Sequence, residues 1–512
     1  MKKSGFFKIK TAVCKILLVS LIFIFPKISF ALPGYEGGIK NEVEYIEPLF
    51  ITGEPVLLKG KVTVSEGRVK DGKRQDRISY NLYNEDKTIL LTRSLTFDVT
   101  IREIKEKKQV IEDAEISRFS ENITVKRGKT QDRFSLISYS FSSSQVTDIA
   151  PAVDYSSLNF GGRKVYSINR DEGEVVIEFS AKGVGYSNAF GSVEIRKGSY
   201  IINYKRKENQ KLNIPAFLWD AKIDSEIYWE VVRDLTYIKN DPKLISFEGG
   251  YLEEQKESAK IKYYYDLPRI KDGVPDSAGR NTGTIEKLLE TTPKSKRTEI
   301  VKVYDLNNHW AREDAEKLIS LGIIEQKGNY FYPDSFDRRG SFAKALGKLI
   351  DSSARIAKIK ETSGRGLLKN SNEGSNNSIF DDVSEKDSGF EYIESLYEFG
   401  VMEGTAYKLF SPDKTLTRAE AVTSIVRALG LMDAISEYPS STGFADDGNI
   451  PLWAKKAVFI ARDIGIVKGD RAGCFRPYDP LTKAESAALL TRLVKYLKDD
   501  IKKDFVKRSL SY

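Results

Sequence analysis

Two periodicities divide the chain. Between about residues 41 and 266 apolar and polar positions alternate, as in Ile78-Ser79-Tyr80-Asn81-Leu82, Leu95-Thr96-Phe97-Asp98-Val99-Thr100-Ile101 and Val175-Val176-Ile177-Glu178-Phe179. A period of two sends every second side chain to the same face, which predicts half-buried strands. Similar segments lie at 57–64, 134–141, 192–196, 200–204, 228–232 and 261–265, with turn clusters expected at Asp71-Gly72 and Gly161-Gly162. So many strands without intervening helices predict an antiparallel all-β region, either a sandwich or barrel-like. Beyond residue 299 the spacing becomes helical.

Two stretches break both patterns. Residues 271–300 contain Asp272-Gly273-Val274-Pro275-Asp276-Ser277-Ala278-Gly279 and few apolar positions afterwards, the composition of a linker. Residues 364–378 include Asn370-Ser371-Asn372-Glu373-Gly374-Ser375-Asn376-Asn377 and predict a polar loop inside the helical part. The charged stretch 102–115 interleaves Lys and Glu and predicts a solvated strand edge or hairpin.

The helical part repeats itself three times. Phe331-Tyr332-Pro333, Phe410-Ser411-Pro412 and Phe475-Arg476-Pro477 mark equivalent turns. Each is preceded by a helical run ending in Gly322-Ile323-Ile324, Gly400-Val401-Met402 or Gly465-Ile466-Val467, where the glycine fits a left-handed C-cap. Each is followed by Arg338-Arg339-Gly340-Ser341, Thr417-Arg418-Ala419-Glu420 or Thr482-Lys483-Ala484-Glu485, which opens a second helix. Thr417 with Glu420, and Thr482 with Glu485, match the S/T-x-x-E capping box. Arg418 and Lys483 then place a cation in the first helical turn, against the macrodipole, which points to an anion held there. A fork-shaped guanidinium beside helix amides would grip a carboxylate.

Composition narrows the functional classes. The 512 residues carry a formal charge of +8, but the first 31 hold six lysines and no acid, which leaves 75 basic and 73 acidic residues. A near-neutral remainder excludes nucleic acid and anionic membrane as partners argued from charge. Lys2, Lys3, Lys8, Lys10 and Lys15 precede an apolar run at 16–25, and Ser29-Phe30-Ala31 follows, so the segment reads as a secretory signal cleaved after Ala31. At about 20 apolar residues a span would be longer than this. Cys14 is not placed for lipidation, and the C-terminal residues have no apolar tail, so retention at a surface is expected to be noncovalent. Cleavage leaves Cys474 as the single cysteine, expected to be small, buried and unreactive, and His309 as the single histidine. One imidazole excludes His-rich metal clusters, so neither a metal nor a cofactor is expected.

The repeat resembles the S-layer homology domain family, which holds exported proteins on bacterial cell walls and usually occurs in three copies. The family opening, an aromatic and an acidic residue followed by His-Trp-Ala, is similar to Tyr304-Asp305 with His309-Trp310-Ala311 and, more weakly, Phe444-Ala445-Asp446-Asp447 with Trp453-Ala454; the second copy has Phe380-Asp381-Asp382-Val383. The resemblance covers about residues 301–497. It implies three helix-turn-helix units in a pseudo-threefold arrangement that bind acidic, often pyruvylated, secondary cell wall polysaccharide. The polysaccharide-binding candidates are Asp305, Trp310, Arg339, Asp382, Gly404, Arg418, Asp447, Trp453, Gly469 and Lys483. The aspartates also fit N-caps, and the tryptophans also fit the core.

The expected organisation is a signal at 1–31, β-rich structure at 32–270, a linker at 271–300, repeat units at 301–353, 380–432 and 444–498, and a polar insert at 354–379. The leading expectation is a non-catalytic secreted surface protein, with self-association into a surface layer as a further property. The alternatives put a carboxylate-pair glycanase or a carbohydrate-binding adhesin in the β-rich part, the latter using Trp219, Trp229 and Tyr263-Tyr264-Tyr265.

Overall fold

A computed structural model describes residues 45–505 apart from 129, 211–213, 239–249, 272–273, 299–300, 352–377, 434, 436 and 504. The signal segment with Ala31 and nearly all of the polar insert lie outside the described residues.

The β part takes the barrel-like alternative rather than the sandwich, as one antiparallel meander. Its strands are β1 (Tyr45–Leu49), β2 (Val56–Glu66), β3 (Lys73–Tyr83), β4 (Ile89–Ile104), β5 (Gln109–Arg127), β6 (Thr130–Ile149), β7 (Val153–Ile168), β8 (Gly173–Asn188), β9 (Gly191–Arg206), β10 (Phe217–Ile238), β11 (Gly250–Lys271) and β12 (Val274–Glu290), each paired to the next. A short β13 (Lys294–Arg297) also pairs with β11. The sheet curls into a half-barrel whose concave face is packed with its own side chains, as accumulated strand twist requires of so many strands. Phe50, just after β1, reaches the rings of Tyr263 and Tyr265 on β11 at 6.0 and 6.1 Å.

Direct cross-strand partners build that face. Phe141, Gly162, Phe179 and Tyr200 lie in one row across β6 to β9. The Phe141 and Phe179 centroids are 6.2 Å apart, and those of Phe179 and Tyr200 are 5.9 Å apart. Gly161-Gly162 therefore sits inside β7 and is not a turn. A Cβ on Gly162 would lie 2.6 Å from the Phe179 ring and 2.5 Å from the Ser140 carbonyl oxygen, so glycine marks a close ring approach.

The 271–300 stretch, expected as a linker, is largely β12 and β13. β12 lies at the outer edge of the meander and pairs with β11 alone, so it need not alternate apolar residues as a central strand does. Residues 102–115 form the β4–β5 hairpin. Trp219 is buried and stacks 4.8 Å from Tyr204, and Tyr263 is buried, so these two aromatics belong to the core.

Among the described residues six α-helices follow: α1 (Arg312–Ser320), α2 (Arg339–Ile350), α3 (Phe390–Glu398), α4 (Arg418–Ala428), α5 (Leu452–Asp463) and α6 (Lys483–Lys495). Gly322, Gly400 and Gly465 follow α1, α3 and α5 at φ 69°, 73° and 78°, and the next amide bonds back to Leu318, Leu396 or Ala461, which is Schellman closure. Helices of different repeats pack in pairs, α2 on α3, α4 on α5, and α6 on α1. The helical part rests against the sheet: the Ala152 amide donates to the Ala428 carbonyl at 2.9 Å, and Asn188 Nδ2 to the Leu497 carbonyl at 2.8 Å. Among the described residues no helix is long and apolar enough to cross a membrane.

Candidate functional site

The Phe-x-Pro turns are built alike. The residue between Phe and Pro is left-handed in each, Tyr332 at φ 58°, Ser411 at 59° and Arg476 at 57°. Such backbone costs about 1 kcal/mol or more and needs outside support. An aspartate supplies it. Asp305 accepts the amides of Phe331 at 3.0 Å and Tyr332 at 2.7 Å, and Asp382 those of Phe410 at 2.9 Å and Ser411 at 2.7 Å.

In the third unit this role belongs to Asp446, which accepts from Phe475 at 2.6 Å and Arg476 at 2.7 Å. The candidate Asp447 is one residue out of register. Its carboxylate accepts from the hydroxyl and amide of Thr442, both at 2.6 Å, and faces Lys455 at 2.9 Å. Those hydrogen bonds, with the Lys455 charge, pull its pKa down to about 2. The doubled Asp446-Asp447 made the register ambiguous in the sequence.

The second helix of each unit enters against the turn of the next. The Arg418 amide bonds to Asp479 O at 3.1 Å and the Ala419 amide to Pro477 O at 3.0 Å. Arg339 and Gly340 do the same on Lys414 and Pro412, and Lys483 and Ala484 on Ser335 and Pro333. The last unit thus returns to the first.

The three cations sit at these junctions. Arg339 is buried; it donates from Nε to Phe410 O at 3.2 Å, from Nη2 to Glu403 O at 2.8 Å and from Nη1 to Glu420 at 3.2 Å. Arg418 donates to Phe475 O at 2.8 Å and to Glu485 at 3.2 Å. Lys483 donates to Phe331 O at 3.4 Å. Each cation also lies over the phenylalanine ring of its turn, at 5.0, 5.6 and 6.0 Å in the same order. Glu420 and Glu485 therefore work twice. One oxygen closes the capping box on Thr417 or Thr482 at 2.9 Å, and the other receives the arginine of the preceding unit. This second partner was not visible in the sequence.

Other candidates divide. Trp310 and Trp453 are 63% and 49% exposed, which places them on the surface, and among the described contacts neither joins a turn. Gly404 and Gly469 lie where backbone crowds: an added Cβ would be 2.7 Å from Leu409 O and 3.0 Å from the Gly473 carbonyl carbon. His309 is a bridging residue, with Nδ1 accepting the Ala311 amide at 3.1 Å and Nε2 facing Asp334 at 3.3 Å. Cys474 is only half-buried, because it lies in the solvent-facing turn before Phe475.

The concave face of the sheet holds a second charged group. Arg93 contacts Glu47 and Glu121, both at 2.9 Å, and Lys164 contacts Glu121 at 3.2 Å. Burial works to raise the Glu121 pKa, but Arg93 and Lys164 outweigh it and hold the carboxyl at about 2. Among the described residues no cluster of His, Cys, Asp and Glu could hold a metal ion.

Comparison with known proteins agrees with the turn geometry. The S-layer homology domain model matches residues 304–343 and 379–422. An endoglucanase of Bacillus sp. (strain KSM-635) is 36% identical over 26% of this chain and 13% of its own length. An amylopullulanase of Thermoanaerobacterium thermosulfurigenes is 24% identical over 67% of this chain and 18% of its own. A surface-layer 125 kDa protein of Lysinibacillus sphaericus is 27% identical over 36% of this chain and 14% of its own. The chain thus spans less than a fifth of the length of these relatives. Residues 304–343 and 379–422 are S-layer homology domains, and the chain that carries them is a secreted cell-surface protein.

Proposed function

We propose that the chain is a non-catalytic surface protein held noncovalently on the cell wall by three S-layer homology units in a pseudo-threefold ring, with residues 444–498 as the third unit. The ligand is acidic, pyruvate-bearing secondary wall polysaccharide. The half-barrel is the structural or display part, and copies of the chain associate through it in a surface layer.

The observation that carries this reading is the junction itself. A cation, a turn carbonyl and exposed turn backbone recur three times, in one geometry, over the residues that match the family model and their continuation. Cations recurring at the first residue of three helices, each beside a turn with a left-handed residue, suit an acidic chain molecule with repeated sugars.

The relatives named endoglucanase and amylopullulanase favour a second reading, an anchored polysaccharide-acting enzyme. A glycanase in the half-barrel needs one carboxyl kept protonated to act as acid. The arrangement at Glu121 runs the other way, since Arg93 and Lys164 keep that carboxyl ionised. Co-sedimentation of the full chain with wall sacculi, before and after chemical removal of secondary polysaccharide, tests the proposal. Binding that disappears on removal supports it; equal binding to both preparations contradicts it.

A further inference from the structure

The three junctions are alike in backbone but not in charge. Arg339 meets Glu420, and Arg418 meets Glu485. The position equivalent to these glutamates in the first unit is Ser341, so Lys483, which closes the ring onto that unit, meets no capping carboxylate. Its neighbour of opposite sign is Asp337, where the other units have Leu416 and Leu481. Asp337 is buried, and burial raises its pKa. Its carboxyl faces the hydroxyls of Ser341 and Ser486 and the Arg338 amide. Among the described residues Lys483 forms no ion pair, and its polar contact is the long bond to Phe331 O.

Among the described residues this junction alone carries a strip of three successive exposed rings. Tyr304, Tyr330 and Tyr332 are 58%, 46% and 49% exposed. Their rings follow one another at 6.0 and 5.9 Å, and Lys483 Nζ lies 5.8 Å from the Tyr332 centroid. The matching positions are Asp381, Leu409 and Ser411 in the second unit, and Ala445, Cys474 and Arg476 in the third. Neither offers a ring. Exposed flat rings beside a cation without a counter-ion fit one chemistry, a sugar ring lying on tyrosine with its carboxylate at the ammonium.

We infer that the junction between the third and first units is the principal saccharide site, taking a carboxylate-bearing sugar on Tyr304, Tyr330 and Tyr332 with Lys483 as counter-ion. The other two junctions have their cations neutralised internally and serve to hold the ring together. The inference rests on the wall-polysaccharide reading and adds which junction acts.

The test is a binding isotherm of the full chain on intact and polysaccharide-stripped sacculi for five variants. Lys483→Ala and Tyr332→Ser should each weaken polysaccharide-dependent binding about tenfold or more, the worth of one charge-assisted or stacking contact. Ser411 already occupies the same left-handed position, so Tyr332→Ser keeps the backbone. Arg418→Ala should weaken binding less than Lys483→Ala, and Tyr407→Ala, on an 89% exposed residue of the second unit, should leave it unchanged. The triple change Asp337→Leu, Arg338→Thr and Ser341→Glu gives the first unit the capping box of the others and Lys483 a carboxylate; it should keep or raise the melting temperature while abolishing binding. Polysaccharide-dependent binding that survives Lys483→Ala and Tyr332→Ser, or falls more with Arg418→Ala, overturns the assignment. Wild-type binding that ignores the polysaccharide overturns the wall reading instead.

Discussion

Arg418 and Phe475 are joined across a unit boundary, with Nε 2.8 Å from the carbonyl oxygen and the charge 5.6 Å from the ring centroid. The cation that opposes the dipole at the start of α4 is thus spent on the next turn and on Glu485. Removing it strands an acceptor and a capping carboxylate together. Arg418→Ala should lower stability by about 1–3 kcal/mol, the usual worth of hydrogen bonds to a charged group. A melting midpoint equal to that of the wild type would show that the junction carries no stability.

Asp446 and Asp447 are neighbours with separable roles. Asp446→Ala releases two amides of a left-handed turn and should cost about 3 kcal/mol or more, taking each hydrogen bond to the charged group at about 1.5 at least. Asp447→Ala breaks bonds to Thr442 and Lys455 but leaves the left-handed turn supported, and should cost less. Thermal melting of the two variants side by side checks the order, and a larger loss for Asp447→Ala would assign the turn to Asp447 instead.

Thr417 starts α4 by accepting the Glu420 amide. Thr417→Ala should cost about 1 kcal/mol, with Thr417→Ser close to neutral. Chemical unfolding of both variants measures the difference, and equal midpoints for alanine and serine would exclude the cap.

Inside the half-barrel, Glu121→Gln leaves buried Arg93 and half-buried Lys164 without their shared carboxylate and should cost about 3–5 kcal/mol. The sign with pH is fixed by the lowered pKa. From an unfolded value near 4.3 down to about 2 in the fold, the carboxylate contributes stability above about pH 4.3 that is lost as pH falls toward 2. The wild type should therefore lose more stability over that interval than Glu121→Gln, as followed by acid melting curves; parallel losses would contradict the pairing.

The sequence exposed what is local. Capping boxes, C-cap glycines and alternating strands are set within a few residues, and those at Thr417, Thr482, Gly322 and β4 appear where the pattern placed them. It concealed what depends on partners far along the chain. Gly162 resembled a turn because the Phe179 ring that it admits lies on another strand. β12 resembled a linker because an edge strand is buried against one neighbour and tolerates Asp, Gly and Arg. The exchange of Arg339 with Glu420, 81 residues apart, joins two repeats across a distance that no local spacing encodes.

If the ring recognises an acidic wall saccharide through its junction cations, neutralising the saccharide must remove most of the attraction. Calorimetric titration of the full chain with purified secondary wall polysaccharide, native and with its carboxyl groups reduced to alcohols, measures this. Saturable binding of the native polymer and at least a tenfold loss on reduction are expected, since the counter-ion pair is removed. Equal affinity for both polymers would contradict recognition by charge.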